Sequence, residues 1–511
     1  MKRTRRLITG ILIISSLLLP VAVYAREGDS GYEGGVSSGE APGKTSYDYQ
    51  EVCFITGEPI VFKGTLVIKK SFKEKENSIT ATYTYNLKNI DKAATLTRVL
   101  SYNTKLVKKE NGQTIEETTL SKQPTEIIRV NSIPYILKSC DFTRSGLIDT
   151  KPAINYFAGN TWGKKVYQAG AASSGGTVSV EATGEFYGYD QYWGTAEVEK
   201  FSYIIQSQQK NENGVDSWGG TANVSLSSST TQMLKFIENE PRQISFNGGY
   251  MQTQYNNNIL EYSCRLPEFD ANGISTDNLK SLNNSLKIET FPIQKRLPVP
   301  NIRHLRGHWA EDDIRILYSL EVFKGNDTLF NPEQLITRAE FATAIMQAAK
   351  EVPLDPVLIS RTRSSNVRSK TKQVIVSPFS DVSIDNVYFT QIDNAFKRGI
   401  IMGKGNKFVP NEALSVADAI TIFVRALGLE DLAPSPNAVT AFRDNDKIPA
   451  YARNAVYVAE KIGLVEGDER GYIKPDKSMT KAEAAELLNR FISYMCDGIK
   501  KDYRERIVNY N

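Results

Sequence analysis

The feature that most restricts the fold is a short box that occurs three times in the C-terminal part of the chain. Thr337-Arg338-Ala339-Glu340 follows Phe330-Asn331-Pro332, Ser415-Val416-Ala417-Asp418 follows Phe408-Val409-Pro410, and Thr480-Lys481-Ala482-Glu483 follows Ile473-Lys474-Pro475. In every copy the hydroxyl stands five residues after the proline. A Ser/Thr side chain followed three residues later by a carboxylate is a reciprocal cap for a helix N-terminus. The acid also sits at the positive end of the helix dipole. The apolar residues after each box have helical spacing: Phe341, Ala344, Ile345 and Ala348; Ile420, Phe423, Val424 and Leu427; Ala484, Leu487, Leu488 and Phe491. The boxes therefore predict three capped helices in a repeated architecture.

A second helical pattern precedes each box and ends in glycine. These patterns run from Trp309 to Gly325, from Tyr388 to Gly403 and from Ala452 to Gly467, and the last two open with Phe379-Ser380-Asp381 and Phe442-Arg443-Asp444. One unit reads as helix, glycine turn, extended Phe-x-Pro and capped helix.

This pattern resembles the S-layer homology module, with three copies at 301–350, 378–430 and 441–496. The resemblance implies an all-α, pseudo-threefold body with the capped helices at its centre. It also implies non-covalent binding of secondary cell-wall polysaccharide, acidic or pyruvylated, in the grooves between units. Under that resemblance Arg338 and Lys481 contact the charge of the sugar, Trp309, Asp381 and Asp444 line the grooves, and Gly325, Gly403 and Gly467 let the backbone approach the glycan. The helix-capping residues are Thr337, Glu340, Ser415, Asp418, Thr480 and Glu483.

The copies depart from one another. Val416 stands where the first box has Arg338, and the third has Lys481, a point charge rather than a fork. Copy one has Arg303 near the place of the opening aspartate, and Val387 and Tyr451 occupy the position of Trp309. At least one groove is expected to be weak.

Residues 1–25 read as a secretory signal peptide: Lys2, Arg3, Arg5 and Arg6 precede a short apolar run, and Val23-Tyr24-Ala25 ends in a small residue. The run is too short and interrupted for a membrane span, so no transmembrane segment is expected after cleavage. The chain carries a formal charge of +4; without these four basic residues it is near zero, which gives no reason to expect a nucleic-acid partner. Residues 26–46, rich in Gly, Ser and Glu, read as a flexible linker.

Residues 47–295 read as β. Stretches 64–68, 78–85, 125–130, 177–181, 197–205, 222–226 and 259–263 are rich in Val, Ile, Thr and Tyr, and Asn111-Gly112, Asn213-Gly214 and Asn272-Gly273 mark turns. The expectation is an antiparallel sandwich-like or barrel-like sheet, as one domain or as two divided near Ala171–Gly176. Aromatic residues gather at Tyr156-Phe157, Trp162, Tyr187, Tyr189, Tyr192-Trp193 and Trp218. They suit either a sugar-stacking surface or the interior of a β core. Glu181, Glu185, Asp190 and Glu197 lie among them and leave open a two-carboxylate glycosidase.

The chain has two histidines, His304 and His308, both at the start of the repeats. The β region therefore has neither a Ser-His-Asp triad nor a His-ligated zinc. His308 reads as a helix-start residue rather than a metal ligand, and no metal or cofactor is expected. Cys53, Cys140 and Cys264 in the β region leave room for one disulfide, but their odd count argues against a framework, and Cys496 stands near the end of the chain. The insertion at 351–377 is basic, with Arg361, Arg363, Arg368, Lys370 and Lys372, and reads as a solvated loop or a clamp for an anionic polymer. The tail at 497–511 is charged.

The residues and the resemblance together point to a secreted, non-enzymatic protein of a bacterial cell wall or S-layer, with the β region as a structural or adhesive element. The alternatives are a wall-anchored carbohydrate-active enzyme or glycan-binding protein, and an S-layer lattice subunit that pairs with other S-layer subunits.

Overall fold

The computed structural model describes residues 34–38, 45–170, 175–211, 214–238, 248–271, 273–350, 376–434 and 438–503. The expected signal peptide, most of the 26–46 linker, nearly all of the 351–377 insertion and the end of the tail lie outside the described residues.

The first half is one antiparallel sheet. Its strands are β1 (Gly35–Ser37), β2 (Ser46–Cys53), β3 (Ile60–Lys73), β4 (Ser78–Asn89), β5 (Ala94–Lys108), β6 (Gln113–Leu120), β7 (Thr125–Val130) and β8 (Ile133–Thr150). There follow β9 (Asn155–Ala169), β10 (Gly176–Gln191), β11 (Gly194–Asn211), β12 (Gly214–Ile237), β13 (Gly249–Phe269), β14 (Ser275–Ile288) and β15 (Ile293–Arg296). Each strand pairs with the next in an up-and-down order, except that β6 and β7 both lie between β5 and β8, and β15 returns to β13. The sheet is continuous where a division was considered, since Ala169 of β9 pairs directly with Gly176 of β10. Part of the expected linker is also in the sheet: Gly35–Ser37 pairs with Tyr49–Glu51.

Alternation decides which face is buried. In β3, Phe62, Leu66 and Ile68 point inward, while Lys63, Thr65 and Lys69 face out. The sheet rolls up so that the inner faces of early and late strands share one core running from Val36 to Ile288. Phe54 meets Tyr203 and Tyr262 across it, with ring centroids 6.2 and 5.9 Å apart, and Asn258 Nδ2 donates to the Ser37 carbonyl at 2.9 Å. All four cysteines are buried and none forms a disulfide.

Four strands contribute a buried ionic quartet to this core. Arg98 donates to both oxygens of Glu51, at 2.8 and 2.9 Å, and to Glu126 at 2.8 Å. Lys165 and Tyr167 also donate to Glu126, at 2.8 and 3.1 Å. The side chains of Glu51, Arg98, Glu126 and Lys165 are fully inaccessible to solvent. Burial pushes the Glu126 carboxyl up, but Arg98 and Lys165 outweigh it and hold it at about 2.

The second half is helical: α1 (Glu311–Ser319), α2 (Arg338–Ala349), α3 (Phe389–Lys397), α4 (Val416–Leu427), α5 (Arg453–Lys461), α6 (Lys481–Ser493) and, after a π-helical turn, α7 (Ile499–Asp502). Both halves of the capping box form at Thr337/Glu340 and Thr480/Glu483. Ser415 likewise accepts the Asp418 amide at 3.1 Å, while the shorter Asp418 side chain turns to other partners described below. Thr337→Ala is expected to destabilise the helical half by about 1 kcal/mol, measured as a shift in its urea midpoint. An effect indistinguishable from zero would mean that the cap contributes nothing.

Each unit's first helix packs on the box helix of the preceding unit: α3 on α2, α5 on α4, and α1 on α6, which closes the circle. At the centre three backbone bonds form a closed cycle. Ile336 N donates to Met479 O (3.0 Å), Met479 N to Leu414 O (2.9 Å) and Leu414 N to Ile336 O (3.0 Å). Beneath them Phe341, Phe423 and Phe491 are in ring contact at 5.4 and 4.9 Å.

The two halves share a core. Ala153, Ile154, Tyr189 and Trp193 of the β half belong to the helical core cluster. The last carbonyls of a helix have no partner within it, and here the β half supplies partners at the ends of all three box helices. Trp193 Nε1 donates to Ala348 O at 2.7 Å, and Ala153 N to Ala426 O at 2.9 Å. Tyr156 donates to Leu427 O at 3.3 Å, and Gln191 to Met495 O just past α6. Tyr503, after α7, stacks on Tyr156 and meets Tyr189 edge-on, at 6.0 and 5.3 Å. Much of the aromatic run is therefore a joint between the halves, and Trp218 lies in the β core.

Candidate functional site

The boxes lie at the end of the helices away from this joint. Helix starts are positive and carry unpaired amides, and here neighbouring units fill them. Arg338 N and Ala339 N donate to Glu412 O and Pro410 O. Val416 N and Ala417 N do the same to Lys477 O and Pro475 O, and Lys481 N and Ala482 N to Gln334 O and Pro332 O. The Phe-x-Pro segment of one unit thus closes the helix start of another.

The first residue of one box also reaches the acid of another. Arg338 Nη1 lies 3.1 Å from Asp418, while its Nε and Nη2 donate to Phe408 O and Met402 O at 3.0 and 3.2 Å. Its guanidinium lies over the Phe408 ring, and the residue is 7% exposed. Tyr451 from the third unit donates to the other Asp418 oxygen at 2.9 Å, so one cluster joins all three units. Burial, and then the neighbouring Asp418, push the Tyr451 phenol up to about 12. In the second cluster Lys481 pairs with Glu340 at 2.8 Å. Burial raises the Glu340 carboxyl, but Lys481 and the Thr337 amide hold it below its usual range. In the third, Val416 has no charge, and Glu483 takes Lys477 from its own unit. The resemblance singled out Arg338 and Lys481 as sugar contacts, and neither their pairing with the acid of another box nor the part of Tyr451, at the Trp309 position, was legible in the sequence.

The opening aspartates have an internal job. Asp381 accepts the amides of Phe408 and Val409, both at 2.8 Å, and Asp444 those of Ile473 and Lys474, at 3.0 and 2.8 Å. The bonds hold Val409 and Lys474 at φ of 56° and 52°, a region costly for a β-branched valine. Burial raises the Asp381 carboxyl, but the Phe408 and Val409 amides together outweigh it and hold it below its usual range. Asp381→Ala is expected to cost about 1–3 kcal/mol in urea unfolding, with part recovered by adding Val409→Gly. No recovery would contradict the strain argument.

Gly403 and Gly467 also serve packing. A Cβ on Gly403 would come within 2.5 Å of Phe379 and 2.7 Å of Lys407 O, and one on Gly467 within 3.2 Å of Phe442. Phe379 therefore needs Gly403, while Gly467 relieves a tight approach to Phe442 and to the Gly471 backbone. Gly325, in the copy without that phenylalanine, has open space and a φ of 104°. Trp309 is 59% exposed and stacks beside His308. His308 Nδ1 accepts the Ala310 amide at 3.1 Å at the start of α1, and its Nε2 meets Glu333 at 3.2 Å.

The four carboxylates considered for glycoside chemistry fall into two pairs with different surroundings. Glu181 and Glu185 lie on the outer face with Lys164 and Lys200, whereas Asp190 and Glu197 are buried. Glu197 lies 3.5 Å from Arg144.

A rolled antiparallel sheet fixed to three interlocked capped-helix units defines a two-part protein whose second part is a repeat module. That module is identified: the model of the S-layer homology domain matches residues 301–342, 378–420 and 441–485, and the chain carries three such domains at its C-terminal end. The chain is 31% identical over 186 residues to an amylopullulanase of Thermoanaerobacterium thermosulfurigenes, covering 36% of this chain and 9% of that protein. It is 28% identical over 186 residues to the exoglucanase XynX of Acetivibrio thermocellus, covering 36% and 15%. Over 182 residues it is 29% identical to an S-layer protein of Bacillus thuringiensis subsp. finitimus, covering 35% and 20%. The chain thus spans a fifth or less of these relatives. No helix among the described residues is long and apolar enough to cross a membrane.

Proposed function

We propose that this is an exported, non-enzymatic protein of a bacterial cell surface, held non-covalently on secondary cell-wall polysaccharide by its helical half. The carrying observation is the polarity of that half: the β region closes the C-terminal ends of the box helices, and the three boxes face the other way. The closed backbone cycle supports a pseudo-threefold reading of the helical body, with a groove at each box. The S-layer homology match and the S-layer relatives support the cell wall as the destination.

The three grooves are unequal. Arg338 is enclosed by protein acceptors, so its part is to place Asp418 and Tyr451 and to supply positive potential behind the groove. Trp309 and Tyr451, 59% and 53% exposed, are the surfaces on which a sugar ring packs. The groove at Val416 lacks a cation in its box and binds an anionic sugar weakly. The β region projects from the wall as a structural or adhesive element.

Co-sedimentation of residues 26–511 with purified walls, before and after removal of the secondary polysaccharide, tests this reading. Pelleting lost with the polysaccharide, and weakened about tenfold by Trp309→Ala, is expected. Pelleting that persists on stripped peptidoglycan would overturn the assigned ligand.

A further inference from the structure

The sheet ends in a long strand with one side uncovered. β14 pairs with β13 from Ser275 to Ile288, and among the described residues no strand pairs with its other side, although β1 and β2 come close. That side is a template for a further strand, and the Ser285 amide turns instead to the Asn284 side chain, at 2.8 Å. The strand also stands clear of the core on both faces. Thr276–Ser281, Asn283–Ser285 and Lys287 are exposed, Leu282 and Leu286 are half-buried, and Ile288 alone is buried. Brevity, proline and bulges are the usual protections of an edge. β14 has 14 residues, no proline, and regular pairing from Leu279 onward. Its protection is charge, in Asp277, Lys280 and Lys287, and none of the three makes an ion pair among the described residues.

Those charges select the occupant. A second copy of β14, laid antiparallel across a twofold axis, opposes each residue to one equally far beyond the axis. With Leu282 on the axis, Asp277 faces the partner's Lys287, and by symmetry Lys287 faces the partner's Asp277. Lys280 faces the partner's Asn284, and Leu282 the partner's Leu282. Opposite charges placed in this way stabilise a strand pair, and like charges destabilise it. Moving the axis to Asn283 sets Asp277 on the partner's Glu289, and moving it to Lys280 sets that lysine on its own copy. Axes at Leu279, Ser281 and Asn284 bring no acid opposite a base within the strand. Leu282 also lies at the middle of β14, so the overlap is nearly complete.

We propose that β14 pairs with β14 of a second copy of this chain in that register, continuing the sheet from one molecule into the next. Ile154, Trp193 and Tyr250, at or beside hairpin turns, pack on the helical core, so the helical half lies toward the Ile288 end of β14. Antiparallel pairing therefore puts the two helical halves at opposite ends of the dimer. Under the wall anchoring proposed above, such a pair joins two facing walls rather than two neighbours on one wall. That consequence rests on the anchoring; the pairing itself does not.

Sedimentation equilibrium of residues 26–511 at low ionic strength, where exposed charges are least screened, tests the pairing. A monomer–dimer equilibrium is expected. Asp277→Lys and Lys287→Asp each weaken it about tenfold, because each sets like charges opposite one another twice in the dimer. The doubly exchanged variant, Asp277→Lys with Lys287→Asp, recovers the association of the wild type. Along one strand the two positions are about 34 Å apart, so this rescue cannot arise within one molecule. Unaltered circular dichroism of the single variants excludes misfolding. A monomer at every soluble concentration would overturn the proposal, as would a dimer indifferent to the single exchanges or one that the double exchange fails to restore. No wall material enters the measurement, so a failure of the wall anchoring would leave its outcome intact.

Discussion

Arg98→Met is expected to lower the stability of the protein by about 3–5 kcal/mol, because it leaves Glu51 and Glu126 buried against a single lysine. Urea unfolding followed by far-ultraviolet circular dichroism measures it. Replacing Glu51, Arg98, Glu126 and Lys165 together by apolar residues of similar volume is expected to be far milder, since desolvation opposes the attraction within the set. A quadruple variant as damaged as the single one would mean that the quartet is a net source of stability. The effect also depends on pH. The folded Glu126 carboxyl is held at about 2, below its usual 4.5. Its contribution is complete above pH 4.5 and is lost as the pH falls toward 2. The gap between wild type and Arg98→Met should therefore narrow over that range, and a constant gap would contradict the assignment.

Trp193→Ala is the second large effect. The side chain is fully buried between the halves and its indole N–H closes the end of α2 at Ala348. Truncation removes a large apolar volume and orphans a carbonyl, at a cost of about 3–5 kcal/mol. Because the joint couples the halves, the thermal transition should split in calorimetry, with the helical half melting first. A single shifted transition would mean that the remaining contacts of Tyr156, Gln191 and Tyr503 suffice for coupling.

The helical half was legible because its signals are local. A hydroxyl and an acid three residues apart specify a cap whatever else the chain does, and two boxes form reciprocal caps. Several strands were legible for the same reason: 78–85, 125–130 and 177–181 fall within β4, β7 and β10. β9 was read as an aromatic cluster, since its glycines and lysines interrupt the alternation that marks β7. Roles that depend on distant partners were hidden. The carboxylate that takes Arg338 is 80 residues away, and the carbonyl that takes Trp193 is 155 away. Asp381 and Asp444 illustrate the same limit. The resemblance places them along the grooves, and nothing local in the sequence shows the amides they accept, 27 to 30 residues on.

The contacts at the ends of the box helices also determine how the molecule carries force. A pull on the β region reaches the helical half at Ala348, Ala426–Leu427 and Met495, three points around one axis, and runs along the helices toward the boxes. Three attachments strained in parallel share tension and fail together, whereas a flexible tether would leave the helical units to take the load in turn. The joint thus makes the two halves take up a pull as one piece.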